Sequence, residues 1–193
     1  MTADDSLDSL RALASNVGDE ELGRVLREAM TSQEREVTAA TTDEHGDPLP
    51  RLDVDDPRAT STDPLLRVGY ALLAELPERW AAAILSVTAA GDEVRTNVLV
   101  RAPEKVSFDP YLLYLPAVAD ACSRLRRSMY EAGGRAWYNA FVRLAPNGTL
   151  TPTYDYEGPP FLHWGAREVE LARHDQELYP RDPGQLPAWH PSR

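Results

Sequence analysis

At 193 residues the chain has room for one main globular unit and an appendage, not for a large multidomain enzyme. Its 42% hydrophobic, 26% charged and 8% aromatic residues describe a chain that can fold, which excludes wholesale disorder. A single cysteine, Cys122, excludes an internal disulfide, and there is neither a basic-then-apolar leader nor an apolar run long enough to cross a bilayer. The expectation is a cytoplasmic protein with no membrane partner.

The net charge of −11 is unevenly spread. Residues 1–63 hold 16 acidic residues against 6 arginines, whereas residues 64–193 hold 15 acids against 14 bases. All 15 aromatic residues lie at or after Tyr70, so the folded core is expected to begin near residue 63. In the front third, Leu7, Leu10, Leu13 and Val17 recur at helical steps, with Gly18-Asp19 as a stop and a new N-cap. Leu22, Val25, Leu26, Ala29 and Met30 form a second narrow stripe, so residues 1–40 read as an acidic helical hairpin. Residues 41–63, with six aspartates and Pro48, Pro50 and Pro57, read as a flexible or extended linker.

The main domain, residues 64–193, opens with Asp63-Pro64, an N-cap and a proline at the first helical position, followed by the stripe Leu65, Leu66, Leu72, Leu73 and Leu76. Residues 80–90 and 94–101 read as a hairpin around Gly91-Asp92. Pro116 starts a helix with Val118, Cys122, Leu125 and Met129 on one face, stopped by Gly133-Gly134. Residues 136–145 and 149–156 form a second hairpin at Asn147-Gly148. With a two-residue loop, Phe141 faces Tyr154 and Asn139 faces Tyr156, which places Trp137, Phe141, Tyr154 and Tyr156 on one core face. A last helix is expected from Trp164 to Tyr179, then a proline-punctuated tail through Trp189. The order predicts an α+β fold: an antiparallel sheet of two hairpins, about four strands, covered by helices.

Chemistry is sparse. His45, His163, His174 and His190 are scattered with no zinc spacing, so no metal is expected; His163 and His174 read as surface or boundary residues. Cys122 sits on an apolar stripe and reads as a small hydrophobe. No serine elbow or phosphate-cradling glycine loop is present, and no catalytic residue or cofactor is assigned. Arg124, Arg126 and Arg127 read as a solvated helix face, and the acidic chain disfavours direct nucleic-acid binding.

The densest cluster is Tyr154-Asp155-Tyr156-Glu157, where a strand's period puts both tyrosines on one face and both carboxylates on the other. A carboxylate pair invites comparison with a glycosidase, which would need a cleft of about 300 Å³ or more beside it. A strand end with core tyrosines, or a partner contact at a sheet edge, are the competing readings.

The stretches LPERWAAAILSV, VADACSRLRRSMYEAGGRAWYNAFVRL, PNGTLTPTYDYE and ELYPRDPGQLPAWH together resemble the YezG family of bacterial immunity (antitoxin) proteins, over about residues 65–189. Their anchors are Trp80, Trp137, Gly148, Tyr154 through Glu157, Tyr179-Pro180-Arg181, Pro187 and Trp189. The resemblance implies a cytoplasmic α+β protein that is not an enzyme and neutralises a cognate polymorphic toxin by binding, often one with a nuclease domain. Tyr154, Asp155, Tyr156, Glu157 and Trp164 are the candidate partner-binding residues, and the acidic front segment would steer a basic toxin toward them. The alternative is a non-catalytic regulatory or adaptor domain whose acidic front segment is a docking arm. Oligomeric state is not legible.

Overall fold

The structure is a computed structural model and describes residues 47–56, 59–112 and 115–193. The helical hairpin expected over residues 1–40 lies outside these residues. The elements in chain order are α1 (Pro64–Leu73), β1 (Ala82–Ala90), β2 (Glu93–Arg101), β3 (Asp109–Leu112), α2 (Pro116–Glu131), β4 (Asn139–Leu144), β5 (Leu150–Asp155) and α3 (Ala166–Leu178), followed by a 3-10 turn at Pro183–Gln185. The five strands form one antiparallel sheet in the order β3-β2-β1-β4-β5. The α+β class is as expected, with one strand more than the two hairpins supply.

Local chemistry sets most boundaries. Asp63 caps α1 by accepting from Leu66 N–H at 2.9 Å, and Pro64 fits the first turn, where no amide proton is needed. Val118, Cys122 and Leu125 bury the inner stripe of α2. Alternation in β1 sends Ala83, Leu85, Val87 and Ala89 toward the helices, where they meet Val98, Ala140, Val142 and Leu144 from the neighbouring strands. Helices α1 and α2 cover this face, and Trp137 is fully buried there. Burial pushes the Cys122 thiol up to about 12, in keeping with a packing role.

Three expectations are corrected. The β4–β5 connection is a three-residue loop, Pro146-Asn147-Gly148: Gly148 N–H donates to Ala145 O at 2.9 Å, Ala145 N–H donates to Thr149 O at 3.0 Å, and only Gly148 takes a positive φ, +85°. The extra loop residue slips the register by one, so Tyr154 opposes Ala140, and Phe141 opposes Thr153 on the face away from the helices. Second, β3 arises from residues 109–112, where Asp109 and Pro110 carry no strand signal; it is an edge strand paired to β2 through a register shift at Val98/Leu99. Third, the core begins before residue 63. Leu52 is buried, its N–H donates to Gly148 O, and Pro50 O accepts from Leu150 N–H at 2.8 Å.

The same bond shows that Leu150 N–H points away from β4. By alternation the position two residues on also faces outward, and there Pro152 has no amide proton to offer another strand.

Candidate functional site

β5 ends at Asp155, and the chain then turns through residues 156–165 into α3. Asp155 makes that turn: its Oδ1 accepts from Glu157 N–H and Gly158 N–H, both at 3.0 Å, and its Oδ2 accepts from Asn139 Nδ2 at 3.0 Å. Because the strand has stopped, its two-residue period no longer carries Glu157 onto the Asp155 face. Glu157 instead pairs with Arg135 at 2.8 Å near the surface. Asp155 is committed to backbone geometry and Glu157 to an arginine, an arrangement unlike a poised acid–base pair.

Both tyrosines pack toward the core. Tyr154 lies 6.0 Å from Trp137, and desolvation raises its hydroxyl pKa. Tyr156 is half-buried with the Arg135 guanidinium 5.1 Å from its ring centre; burial also raises its pKa. The strand-end tyrosines are therefore structural over most of their surface.

The C-terminal segment locks this region. Arg181 is buried, donates from Nη1 to Tyr156 O at 3.0 Å and from Nη2 to Ala136 O, and lies 4.2 Å above the Tyr138 ring. Gln176 at the end of α3 brackets the Arg181 backbone, donating to its carbonyl at 2.7 Å and accepting from its N–H at 3.2 Å. Trp189 donates from Nε1 to Glu157 O at 2.5 Å and meets Tyr138 edge-to-face at 4.8 Å. These are positions that carry the sequence resemblance, and the fold brings them into one network.

What that network presents outward is a short rim. Asn139 Nδ2 holds the Gly158 and Pro159 carbonyls. Phe161 then turns inward with φ +69°, a costly value for an aromatic residue, and its buried ring packs 4.0 Å from the Arg95 guanidinium. Arg95 is itself held by Glu93 and by Glu168, whose carboxyl the arginine's hydrogen bond pulls below the usual range. With Phe161 pinned, Leu162 and His163 face solvent, and Trp164 rests edge-to-face on Trp189 at 5.2 Å while 40% exposed. Glu157, Leu162 and Trp164 thus form an exposed edge on a rigid base, with Tyr156 half-buried beneath.

One expectation about α2 fails. Arg124 and Arg127 are exposed, but Arg126 is 1% exposed: its Nε donates to Trp137 O at 2.6 Å and its Nη2 pairs with Asp175 of α3 at 2.8 Å. Its spacing held the signal, since residue 126 is four after Cys122 and three before Met129, on the buried stripe. Asp175 had no such signal, because its partners Arg126 and Gly91 lie 49 and 84 residues away, and the Arg181 guanidinium meets carbonyls 25 and 45 residues away.

Among the described residues no group of histidine, cysteine and carboxylates could hold a metal ion, and no helix is long and apolar enough to cross a membrane. Compared with models of known protein families the chain matches none, and comparison with curated proteins gives no match.

Proposed function

We propose that this chain is a cytoplasmic immunity protein of the YezG type that binds a cognate bacterial polymorphic toxin, a basic nuclease being the expected class, and neutralises it by binding rather than by chemistry. The observation that carries the reading is the convergence of the resemblance anchors: Arg181 and Trp189 clamp the Tyr156–Glu157 backbone and so hold Glu157, Leu162 and Trp164 outward on a fixed support. A pre-organised aromatic and aliphatic edge with an adjacent carboxylate is suited to a protein partner, because little side-chain entropy remains to be lost on binding. The engagement of Asp155 by its own turn and of Glu157 by Arg135 favours recognition over acid–base work. The acidic front segment would raise the encounter rate with a basic partner.

Co-expression with the product of the adjacent upstream gene tests this, scored by cell survival and by recovery of a complex on size-exclusion chromatography. Survival with a stable complex is the expected result. Death, or no complex with any neighbouring product, would overturn it and leave the adaptor reading, which the concentration of charge in residues 1–63 favours.

A further inference from the structure

Two arginines meet the end of β5, and they differ in how firmly they are kept. Arg181 is buried and donates to Tyr156 O at 3.0 Å and to Ala136 O, so it belongs to the frame. Arg135 follows the stop of α2, where Gly133 takes φ +87° and Gly134 N–H donates to Met129 O at 3.1 Å. That stop delivers an exposed side chain to the strand end from outside. Its Nη1 meets Glu157 Oε1 at 2.8 Å, and its guanidinium lies over the Tyr156 ring, 5.1 Å from the centre.

Arg135 thus occupies a seat with two walls, a carboxylate at the edge and an aromatic face beneath. Both walls are fixed through the main chain rather than by Arg135. Tyr156 O is held by Arg181, Glu157 O accepts from Trp189 Nε1 at 2.5 Å, and Glu157 N–H donates to Asp155 Oδ1 at 3.0 Å. The seat therefore keeps its shape when Arg135 swings away. It selects a guanidinium over an ammonium, since a planar fork donates to a carboxylate in its own plane while its face stacks on a ring.

The resident side chain is weakly held. The two ends of the Arg135–Glu157 pair are 42% and 56% exposed, and an ion pair so placed contributes little, because water screens it and both side chains lose freedom. Returning Arg135 to water leaves no buried charge unpaired. An incoming cation must replace it rather than join it, because burial lowers the Arg181 pKa and the nearby Arg135 charge already lowers it further. A partner's arginine arrives with added contacts to Leu162 and Trp164, exposed on the same rim, and these tip the exchange.

We propose that the Tyr156–Glu157 seat binds an arginine side chain of the protein partner, and that Arg135 holds the seat in the free chain as an internal stand-in which that arginine displaces. The proposal rests on the reading of this rim as a protein contact, not on the partner's being a toxin.

Ethylguanidinium, the fragment that Arg135→Ala removes, tests it on the full chain by NMR at the Trp189 indole N–H and the Glu157 amide. In Arg135→Ala these signals should shift saturably at millimolar concentration and move back toward their positions in the parent. The affinity should be about tenfold or more above that of the parent and of Arg135→Ala, Glu157→Gln. Ethylammonium should bind about tenfold more weakly than ethylguanidinium. Arg135→Gln should give the same ranking, so the result does not depend on one variant. No saturable shift, a shift indifferent to Glu157→Gln, or equal binding of ethylammonium would each overturn the proposal. In a complex recovered by co-expression, Arg135→Ala should tighten association about threefold or more and Glu157→Gln should weaken it, and weakening by both would overturn the displacement. If no complex is recovered, the proposed function falls, while the ethylguanidinium result by itself still decides the seat.

Discussion

Arg126 and Asp175 form a buried ion pair at 2.8 Å, with side chains 2% and 1% exposed, that joins α2 to α3. The pair is satisfied beyond its mutual bond. Arg126 also donates to Trp137 O and lies 4.5 Å over the Tyr179 ring, while Asp175 accepts from Gly91 N–H at 2.8 Å and so holds the β1–β2 turn. Two charges out of water are tolerable only with such complete partnering.

Removing one partner should therefore cost far more than removing both. Asp175→Ala strands a buried guanidinium, and urea denaturation should show a loss of about 3–5 kcal/mol. The double variant Arg126→Met, Asp175→Leu should recover most of it. It should stop short of full recovery because Trp137 O and Gly91 N–H are left without partners, about 1–3 kcal/mol for a buried group. A double variant no better than the single would show that the ion pair is not the source of the loss.

Gly148 and Gly133 share a positive φ, +85° and +87°, but not their surroundings. A methyl group at Gly133 meets nothing, so Gly133→Ala should cost about 1 kcal/mol, the strain of the left-handed conformation alone. At Gly148 the added carbon collides with Leu52 O, a backbone atom of the segment that closes the sheet edge. Gly148→Ala should cost more than about 2 kcal/mol and expose the Leu52 amide to exchange. Equal melting temperatures for the two variants would contradict the docking of residues 50–52.

Acid should weaken the fold through His190. Burial lowers its pKa below the ordinary value near 6.5, with Arg181 adding in the same direction and Asp175 opposing. Between the two pKa values the unfolded chain binds the proton and the folded one does not. Stability is thus fully present above about pH 6.5 and declines as pH falls below it. Chemical denaturation at about pH 7.5 and about pH 5.5 should show this decline, and His190→Asn should flatten it. An unchanged slope in that variant would assign the acid sensitivity elsewhere.

Trp164 is the cleanest probe of the rim. It touches Trp189 but is 40% exposed, so Trp164→Ala should cost only about 0.5–1.5 kcal/mol of stability. If it anchors a partner, the same change should weaken binding by about 30-fold or more. Tyr156→Ala should lower both stability and binding, since its ring packs on the core and under Arg135. A folded Trp164→Ala, Tyr156→Ala chain that protects cells as well as the parent would remove this edge from the interface.

The elements with short-range causes could be read from the sequence. Asp63-Pro64, Gly91-Asp92, the stripe from Val118 to Met129 and the alternation in residues 94–100 all act within a few residues, and all sit where that logic places them. The register of the second hairpin was not legible. Asn147-Gly148 permits loops of two or three residues, and the difference of one turned Phe141 from the helix side to the opposite face of the sheet. In the candidate site, the sequence marked Tyr154 through Glu157 as a cluster but could not show that Asp155 closes a turn and Glu157 meets Arg135.

By itself the sequence determined that the chain folds as α+β, where its principal helices and hairpins lie, and that its negative charge is gathered in the front third. Only the tertiary structure decided that Arg126 lies inside, that Leu52 belongs to the core and that Arg181 and Trp189 close over the end of β5. The reason is physical. Periodicity and capping are settled by neighbours along the chain, whereas a buried charge, an edge strand such as β3 or a clamp across 25 residues is settled by partners that only the completed fold brings near.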